Sequence, residues 1–381
     1  MKSILFYDDA VQFGGHEVLT LAAFEAMAAS GGYRLGFMHY ERNRLLAERL
    51  RRIAAGSTTV SLFPIPYHTT GLVSMHAIAS LSAVSGIARS MASFAPDIVL
   101  VAQGRIEACW LGLLAARRAG PELVSCLPMA HAVAVAGRAL GAGLRDRINR
   151  RLYRLPDRFI TFSRAVADQL EGWGCGQQVA VVPTGIDLHR LTISDKATAR
   201  TRTGLPQDRY LVGIAARVDF RQKGHDLLVE AVVSRPDLFQ GSAVVVVGDG
   251  HDLHALKQMV AERGVADRFL FFPWQDEMSL FYSALDLLVM PSRYEGVPLV
   301  MLEALYCGLP IVAADIDGMA EYLPKDWLFP KNDALALAAT VAAVRAADVE
   351  ARFASLRQRV ARECSRERFG EAFTRALVVN P

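Results

Sequence analysis

The sequence predicts two doubly wound α/β domains with parallel sheets, and three observations carry that prediction. Short apolar runs alternate with longer helix-compatible stretches from one end to the other, the pattern of repeated strand-helix-strand units. At 381 residues the chain exceeds one ordinary hydrophobic core, given roughly 100 to 200 residues per domain. A polar, turn-rich stretch, PTGIDLHRLTISDKATARTRTGLP (183–206), separates two series of strands and reads as the interdomain linker.

The first series of apolar runs falls at about 3–8, 33–39, 58–63, 97–102, 122–127, 158–162 and 178–182. The second falls at about 210–215, 243–248, 268–272, 286–290 and 310–314. In sheets of this kind ligands bind beyond the carboxyl ends of the strands, so the loops leaving each strand are where chemistry is expected. No internal repeat is visible, and the Ala-rich ALALAATVAAVRAA reads as a helix of strong propensity.

Composition narrows the function classes. With 52% hydrophobic and 21% charged residues the chain reads as fully folded. Its five cysteines lie far apart without a C-x-x-C pair, which points away from zinc sites and disulfides and toward a reducing cytoplasm. MKSILFYDDA reads as a buried first strand instead of a signal peptide, and no apolar run is long enough to span a membrane. The net charge of +3 divides into +6 for residues 1–190 and −3 for the remainder. The N-terminal excess gathers at Arg42, Arg44, Arg49, Arg51 and Arg52, then at Arg138, Arg145, Arg147, Arg150, Arg151, Arg154 and Arg158. Such runs suit either a solvated helix face or contact with an anionic membrane surface or phosphorylated acceptor. Nucleic acid is disfavoured, because no aromatic residues interleave with the basic ones and no binding motif accompanies them.

The most informative segment is DLLVMPSRYEGVPLVMLEALYCGLPIVAAD (286–315), which parses as buried strand, Gly-containing loop, helix, Gly stop and second strand. Pro298 suits the first turn of the helix and Gly308 its C-terminal cap. The amides around Gly296, Val297, Pro298 and Leu299 would form an anion site at the helix start, suited to phosphate. Glu295 and Glu303, with seven residues between them, read as acceptors for sugar hydroxyls.

This segment, with its flanking PS, EG, LEA and GLP elements, resembles the Glu, seven residues, Glu motif of family 4 of the retaining glycosyltransferases. The resemblance implies the GT-B fold, two Rossmann-like domains facing each other across a cleft. It gives Glu295 a contact with the donor sugar and Glu303 the ribose of the nucleotide. GIAARVDFRQKGHDLLVEAV (213–232) looks like the family's donor loop, which assigns Arg217 and Lys223 to the diphosphate, where they would offset charge on the leaving group. AVVVVGDGHDL matches the family's Gly-Asp-Gly turn, with Gly248 allowing close approach of a nucleotide. Pro273 and Trp274 depart from the Gly-centred turn usual near the base, so the base stays open, and Trp274 suits either base stacking or plain packing.

DDAVQFGGHE (8–17) lacks the full dinucleotide fingerprint, which disfavours a nicotinamide cofactor. It resembles the family's N-terminal glycine loop, so Gly14 and Gly15 are expected to close over the donor phosphates. His131, in CLPMAHAVA, takes the family's donor-sugar contact, with Ala132 in place of the commoner acidic or small follower. FSRAVADQLEGWG and VAVVPTGID are similar to the last N-domain segment and hinge, with Thr184 where Asn is frequent. The implied domains are 1–188 on the acceptor side and 189–364 for the donor, with a final helix at about 365–381 packing back on the first.

The resemblance therefore implies a retaining glycosyltransferase, moving a hexose from a UDP- or GDP-linked donor to a hydroxyl of a glycan or lipid-linked acceptor in bacterial glycoconjugate assembly. The expected location is cytoplasmic, peripheral on the inner face of the plasma membrane. No cofactor and no metal are expected. Asp315-Ile316-Asp317 spells the metal-binding D-x-D of another glycosyltransferase fold, but it lies within the stretch matching this family's Gly-x-x-Glu element at Gly318 and Glu321. An epimerase or phosphorylase of the same architecture, or a non-catalytic partner subunit, are the competing readings.

Overall fold

The computed structural model describes residues 1–69, 77–133, 141–175, 178–275 and 277–379. Arg138 of the second basic run lies outside them. The chain divides into two compact units, residues 1–185 with 366–381, and residues 186–365.

In the first unit the strands are β1 (Lys2–Asp8), β2 (Tyr33–Tyr40), β3 (Val60–Ile65), β4 (Ile98–Ala102), β5 (Glu122–Cys126), β6 (Arg158–Thr161) and β7 (Gln178–Val181). They pair in parallel in the order β3-β2-β1-β4-β5-β6-β7. A parallel sheet carries helices on both faces, which is why its central strands are continuous apolar runs with no polar alternation. Phe6, Phe24 and Phe37 pack ring to ring with centroids 5.1–5.8 Å apart, joining β1 and β2 to the helix Gly15–Ser30.

The last helix, Arg366–Val378, belongs to this unit and buries Phe369, Phe373 and Leu377 completely. It lies so close to the helix Gly15–Ser30 that a Cβ on Gly370 would come within 2.5 Å of Ala26 Cβ. Arg158 is 5% exposed and donates to the carbonyls of Ala376 (2.7 Å) and Leu377 (2.9 Å). It is thus a buried cap on the end of that helix, where basic groups suit the dipole. Arg158 therefore does not belong to the exposed basic run that the sequence suggests. Arg145 of the same run is paired with Glu107 at 2.5 Å.

The second unit is built from β8 (Tyr210–Ala215), β9 (Ser242–Val247), β10 (Phe269–Phe272), β11 (Leu287–Met290), β12 (Ile311–Ala314) and β13 (Leu328–Phe329). These are also parallel, in the order β10-β9-β8-β11-β12-β13. β13 was absent from the sequence expectation, being only two residues long. The 183–206 stretch is not all linker. It holds the helix Lys196–Thr203, capped by Asp195, whose Arg200 is tied at 2.6 Å to Asp286 at the foot of β11. The unit begins and ends at one place, since Ile186 N donates to Cys364 O at 2.8 Å.

Both sheets change winding direction once, between β1 and β4 and between β8 and β11. Crevices at the carboxyl ends of such strand pairs are where doubly wound sheets hold ligands.

Candidate active site

In the second unit the β8–β11 switch point brings two sequence-predicted residues together. After β8 the chain passes Arg217 and forms the short helix Phe220–Lys223, started by Asp219, whose carboxylate accepts from Gln222 N at 3.1 Å. Lys223 therefore ends a helical turn instead of lying on an open loop. Gly224 follows at φ +69°, and a Cβ there would come within 2.1 Å of Pro291 O. Only a glycine lets the β8 loop lie against the β11 loop. Across this contact Lys223 Nζ meets Glu295 Oε1 at 2.5 Å, and Ser292 Oγ donates to the same oxygen at 2.8 Å.

Glu295 is 5% exposed, and its amide donates to Asp317 Oδ2 at 2.9 Å. That bond occupies one carboxylate of the Asp-Ile-Asp sequence in ordering the β11 loop. Arg293 braces the assembly from behind, bidentate to Asp226 at 2.9 and 2.7 Å. Arg217 is more exposed: its side chain is 56% accessible and reaches Gln222 Oε1 at 3.2 Å and Asp219 at 3.6 Å. Lys223 is held and Arg217 is exposed.

The helix after Glu295 runs Leu299–Tyr306, with Pro298 just ahead of it in an extended conformation. Two details differ from the sequence expectation. Pro298 precedes the first turn, and having no N–H it contributes nothing to an anion site. The helical bonds begin with Met301 and Leu302 donating to Pro298 O (3.1 and 3.4 Å), which leaves the amides of Leu299 and Val300 outside the helical ladder. Gly308 ends the helix at φ +80°, with Gly308 N bound to Leu305 O and Leu309 N to Ala304 O, a complete Schellman closure.

Glu303 accepts from Tyr282 OH at 2.7 Å. Burial pushes its carboxyl above the ordinary value, against the opposing effects of Tyr282 and Arg190. Gly248, at φ +149°, would place a Cβ 2.0 Å from Ala216 O. The close approach this glycine permits is therefore to the chain's own β8 loop. Trp274 is 47% exposed, with its amide bound to Asp249 Oδ2 at 3.0 Å.

His225 was not singled out by the sequence. It is 2% exposed at the start of the helix His225–Ser234, and neither ring nitrogen has a hydrogen-bond partner. Burial and the neighbouring Lys223 depress its pKa to about 4. Ser292, Tyr282 and Asp317 were missed as well. Ser292 alone left a signal, standing in the PSRYEG element that marks Glu295.

The first unit holds Gly14, Gly15 and His131. His131 lies beyond β5 and is half-buried, between Ala130, whose carbonyl accepts from Trp173 Nε1 at 2.6 Å, and Val133, whose amide donates to Asp146 at 2.8 Å. Gly14 and Gly15 open the helix Gly15–Ser30, but neither needs to be glycine for the fold. Gly14 is extended, and a Cβ on Gly15 would meet nothing within 4 Å. The Gly14 amide is already taken by Glu17 Oε2 at 2.8 Å, so a carboxylate occupies the helix start that was expected to meet phosphate.

Around that turn lies a cluster the sequence reading overlooked. Asp8, Asp9 and Glu17 are at most 2% exposed, and His16 lies 3.6 Å from Asp8 and 3.1 Å from Glu17. Asp9 is satisfied by Tyr7 OH (3.0 Å) and Thr69 Oγ1 (2.7 Å), yet burial still lifts it to about 6. Burial likewise lifts Glu17 to about 7.

Comparison with known proteins gives these two units their context. Two family models match: Glycosyl transferase 4-like domain over residues 14–185, and Glycosyl transferases group 1 over residues 195–358. The D-inositol 3-phosphate glycosyltransferase of Mycobacteroides abscessus is 36% identical over 172 residues, 43% of this chain and 38% of that protein. The lipopolysaccharide core biosynthesis mannosyltransferase LpsB of Rhizobium meliloti is 37% identical over 151 residues, 37% of this chain and 42% of that one. In these matches the chain spans about two fifths of the length of its curated relatives. HepE of Anabaena, solved with UDP and glucose, superposes with a TM-score of 0.79 at 19% identity over 100% of both chains, which establishes the fold. Two parallel doubly wound units, each matched by its own half of one enzyme family's architecture, make this chain a GT-B-fold member of the group 1 glycosyltransferases.

Proposed function

We propose that the chain transfers a sugar from a nucleoside diphosphate donor to a hydroxyl acceptor, with retention at the anomeric carbon. The observation that carries this reading is the Lys223–Glu295 pair, with Ser292 on the same carboxylate oxygen, at the β8–β11 switch point. A diphosphate arriving there would draw on the Lys223 ammonium and on the exposed Arg217, adding to the Leu299 and Val300 amides. Glu295 would then have an oxygen released for a sugar hydroxyl. Charge developing on the leaving diphosphate is offset by groups already in place, which is the largest kind of contribution such a site can make. Glu303, protonated more readily than an ordinary carboxyl, takes the ribose, and His131 the donor sugar.

The donor reading uses no metal ion, because Arg217 and Lys223 supply the positive charge. Gly15 has open space beside it for a ligand to lie against its backbone, while the Gly14 amide is held by Glu17. The names of the relatives describe glycosyl transfer, one of them in lipopolysaccharide core biosynthesis, which supports a bacterial glycan or lipid-linked acceptor. Among the described residues no helix is long and apolar enough to cross a membrane. Peripheral binding to an anionic surface rests on the exposed Arg147, Arg150 and Arg151. Charge reversal there should abolish salt-sensitive binding to anionic liposomes, and unchanged binding would remove that part of the reading.

The donor site is tested by thermal shift against UDP, GDP, ADP and their sugars, comparing wild type with Glu303→Ala and Arg217→Ala. A ligand at 100 times its Kd adds about 2.7 kcal/mol of stability. A shift with one nucleotide class that is lost in the variants identifies the base. No shift with any of them contradicts the donor reading. Proton NMR of the product then decides between retention and inversion, and a requirement for phosphate in place of an acceptor would identify a phosphorylase.

A further inference from the structure

Asp8 ends β1, and His16 and Glu17 lie in the first turn of the helix that follows. Each carboxylate uses one oxygen for the fold: Asp8 Oδ1 accepts from Ala10 N at 2.9 Å, and Glu17 Oε2 from Gly14 N at 2.8 Å. The other two oxygens, Asp8 Oδ2 and Glu17 Oε1, are buried without a hydrogen-bond partner, and so is His16 Nε2. One ligand atom from each of the three residues lies within 4.8 Å of the others.

An imidazolium neutralising Asp8 would donate Nε2–H to it, but the two atoms stand 3.6 Å apart and make no hydrogen bond. That separation instead matches the edge of a tetrahedral metal site, about 3.4 Å for ligands at about 2.1 Å from the ion. His16 Nδ1 lies 3.1 Å from Glu17 Oε2, so the imidazole stands between the two carboxylates. No Lys or Arg is paired with Asp8, Asp9 or Glu17 among the described residues; His16 is the basic side chain beside Asp8 and Glu17, and Asp8 Oδ2 and Glu17 Oε1 keep no hydrogen-bond donor.

We propose that Asp8, His16 and Glu17 bind one divalent transition-metal cation of the Mn2+ or Zn2+ class. An imidazole with two carboxylates favours these over Mg2+ and Ca2+, which prefer oxygen alone. Asp9 is not a ligand, because Tyr7 and Thr69 already hold it. The His16 side chain is 20% exposed and marks the open side, by which an ion enters and a water or hydroxyl completes the coordination. The second grouping of such residues, Asp219, His251 and Asp252, differs in kind. Asp219 and Asp252 accept from the amides of Gln222 and Phe220, and His251 is 63% exposed, so its groups are already used or solvated.

The proposal stands apart from the donor reading and is tested without turnover. The full chain is stripped with EDTA and titrated with Mn2+ and Zn2+ by calorimetry, alongside Asp8→Asn, His16→Gln, Glu17→Gln and the control His251→Ala. The expected result is one ion per chain in wild type and His251→Ala. Loss of an outer-shell partner alone costs about 10- to 100-fold in affinity, so each ligand variant should weaken binding at least that much. Pulsed EPR of the Mn2+-loaded wild type should show coupling to one imidazole nitrogen, a readout that survives if a variant fails to fold. No stoichiometric binding, equal binding by the ligand variants, or absence of nitrogen coupling would overturn the proposal.

Discussion

The two switch points of this molecule are built from similar parts and balanced in opposite ways. At β8–β11 the carboxylates find a cation or donor within the chain, as buried Glu295 does in Lys223 and Ser292 and half-buried Asp226 in Arg293. Its glycines are needed by the fold, Gly224 against Pro291 and Gly248 against Ala216. At β1–β4 the carboxylates of Asp8 and Glu17 keep unpaired oxygens, and Gly14 and Gly15 are glycines the backbone does not require. Where the fold already pairs its carboxylates, a ligand must displace an existing partner. Where it leaves atoms unmatched, a ligand completes the structure.

Several substitutions would break or sharpen this contrast. The largest effect is expected at the balanced site, where Glu295→Gln and Lys223→Ala should each lower kcat/KM with an identified donor about 10²- to 10³-fold. Removing one partner of this buried pair should also destabilise the chain by about 3 kcal/mol, visible in chemical denaturation. Comparable effects of His16→Gln on donor affinity would erase the difference between the two sites.

Glycine substitutions come next. Gly248→Ala should cost about 3 kcal/mol, because its Cβ has only the Ala216 carbonyl to enter. Gly15→Ala, with open space before it, should change stability by less than about 0.5 kcal/mol while still impairing any ligand that lies on the turn. Equal Tm losses would mean that both turns are structural.

His225 makes the second unit sensitive to acid. Its folded pKa of about 4 lies below the ordinary 6.5, so the unfolded chain takes up the proton first as pH falls. Stability is then full above about pH 6.5 and declines toward pH 4, by up to about 3 kcal/mol at 1.36 kcal/mol per pKa unit. Denaturation midpoints at pH 7 and pH 4.5 for wild type and His225→Gln would check this, since the variant should lose part of the decline. A smaller effect than that of His225 is expected of Tyr282→Phe. It removes one hydrogen bond to Glu303, should cost about 1 kcal/mol, and should raise the Glu303 pKa further.

Most of the fold was legible because strands buried on both faces leave uninterrupted apolar runs such as AVVVV and LLVM, short and bounded by turn residues. β13, two residues long, carries no such signal. The helix Lys196–Thr203 escaped because Ala199 and Arg200 are its buried residues, so no apolar stripe marks it. Arg158 misled for a related reason, since a sequence records its charge and not the helix end it caps.

At the candidate site, the loop and helix carrying Glu295 and Glu303 could be placed from spacing and turn residues. The pairing of Glu295 with Lys223, 72 positions away, depends on how two loops meet and has no local trace. The same holds for His225, whose isolation is a property of its burial. Gly15 and Gly248 look alike in sequence and differ in what surrounds them.

The route of the chain has a consequence for biosynthesis. Because the helix Arg366–Val378 completes the first unit after the second has been passed through, a ribosome delivers the units out of structural order. The second unit has all of its strands in hand while the first still lacks Phe369, Phe373 and Leu377 from its core. Until those residues emerge, the helix Gly15–Ser30 presents an uncovered apolar face, and the nascent protein is most exposed to misassembly through the half that was translated first.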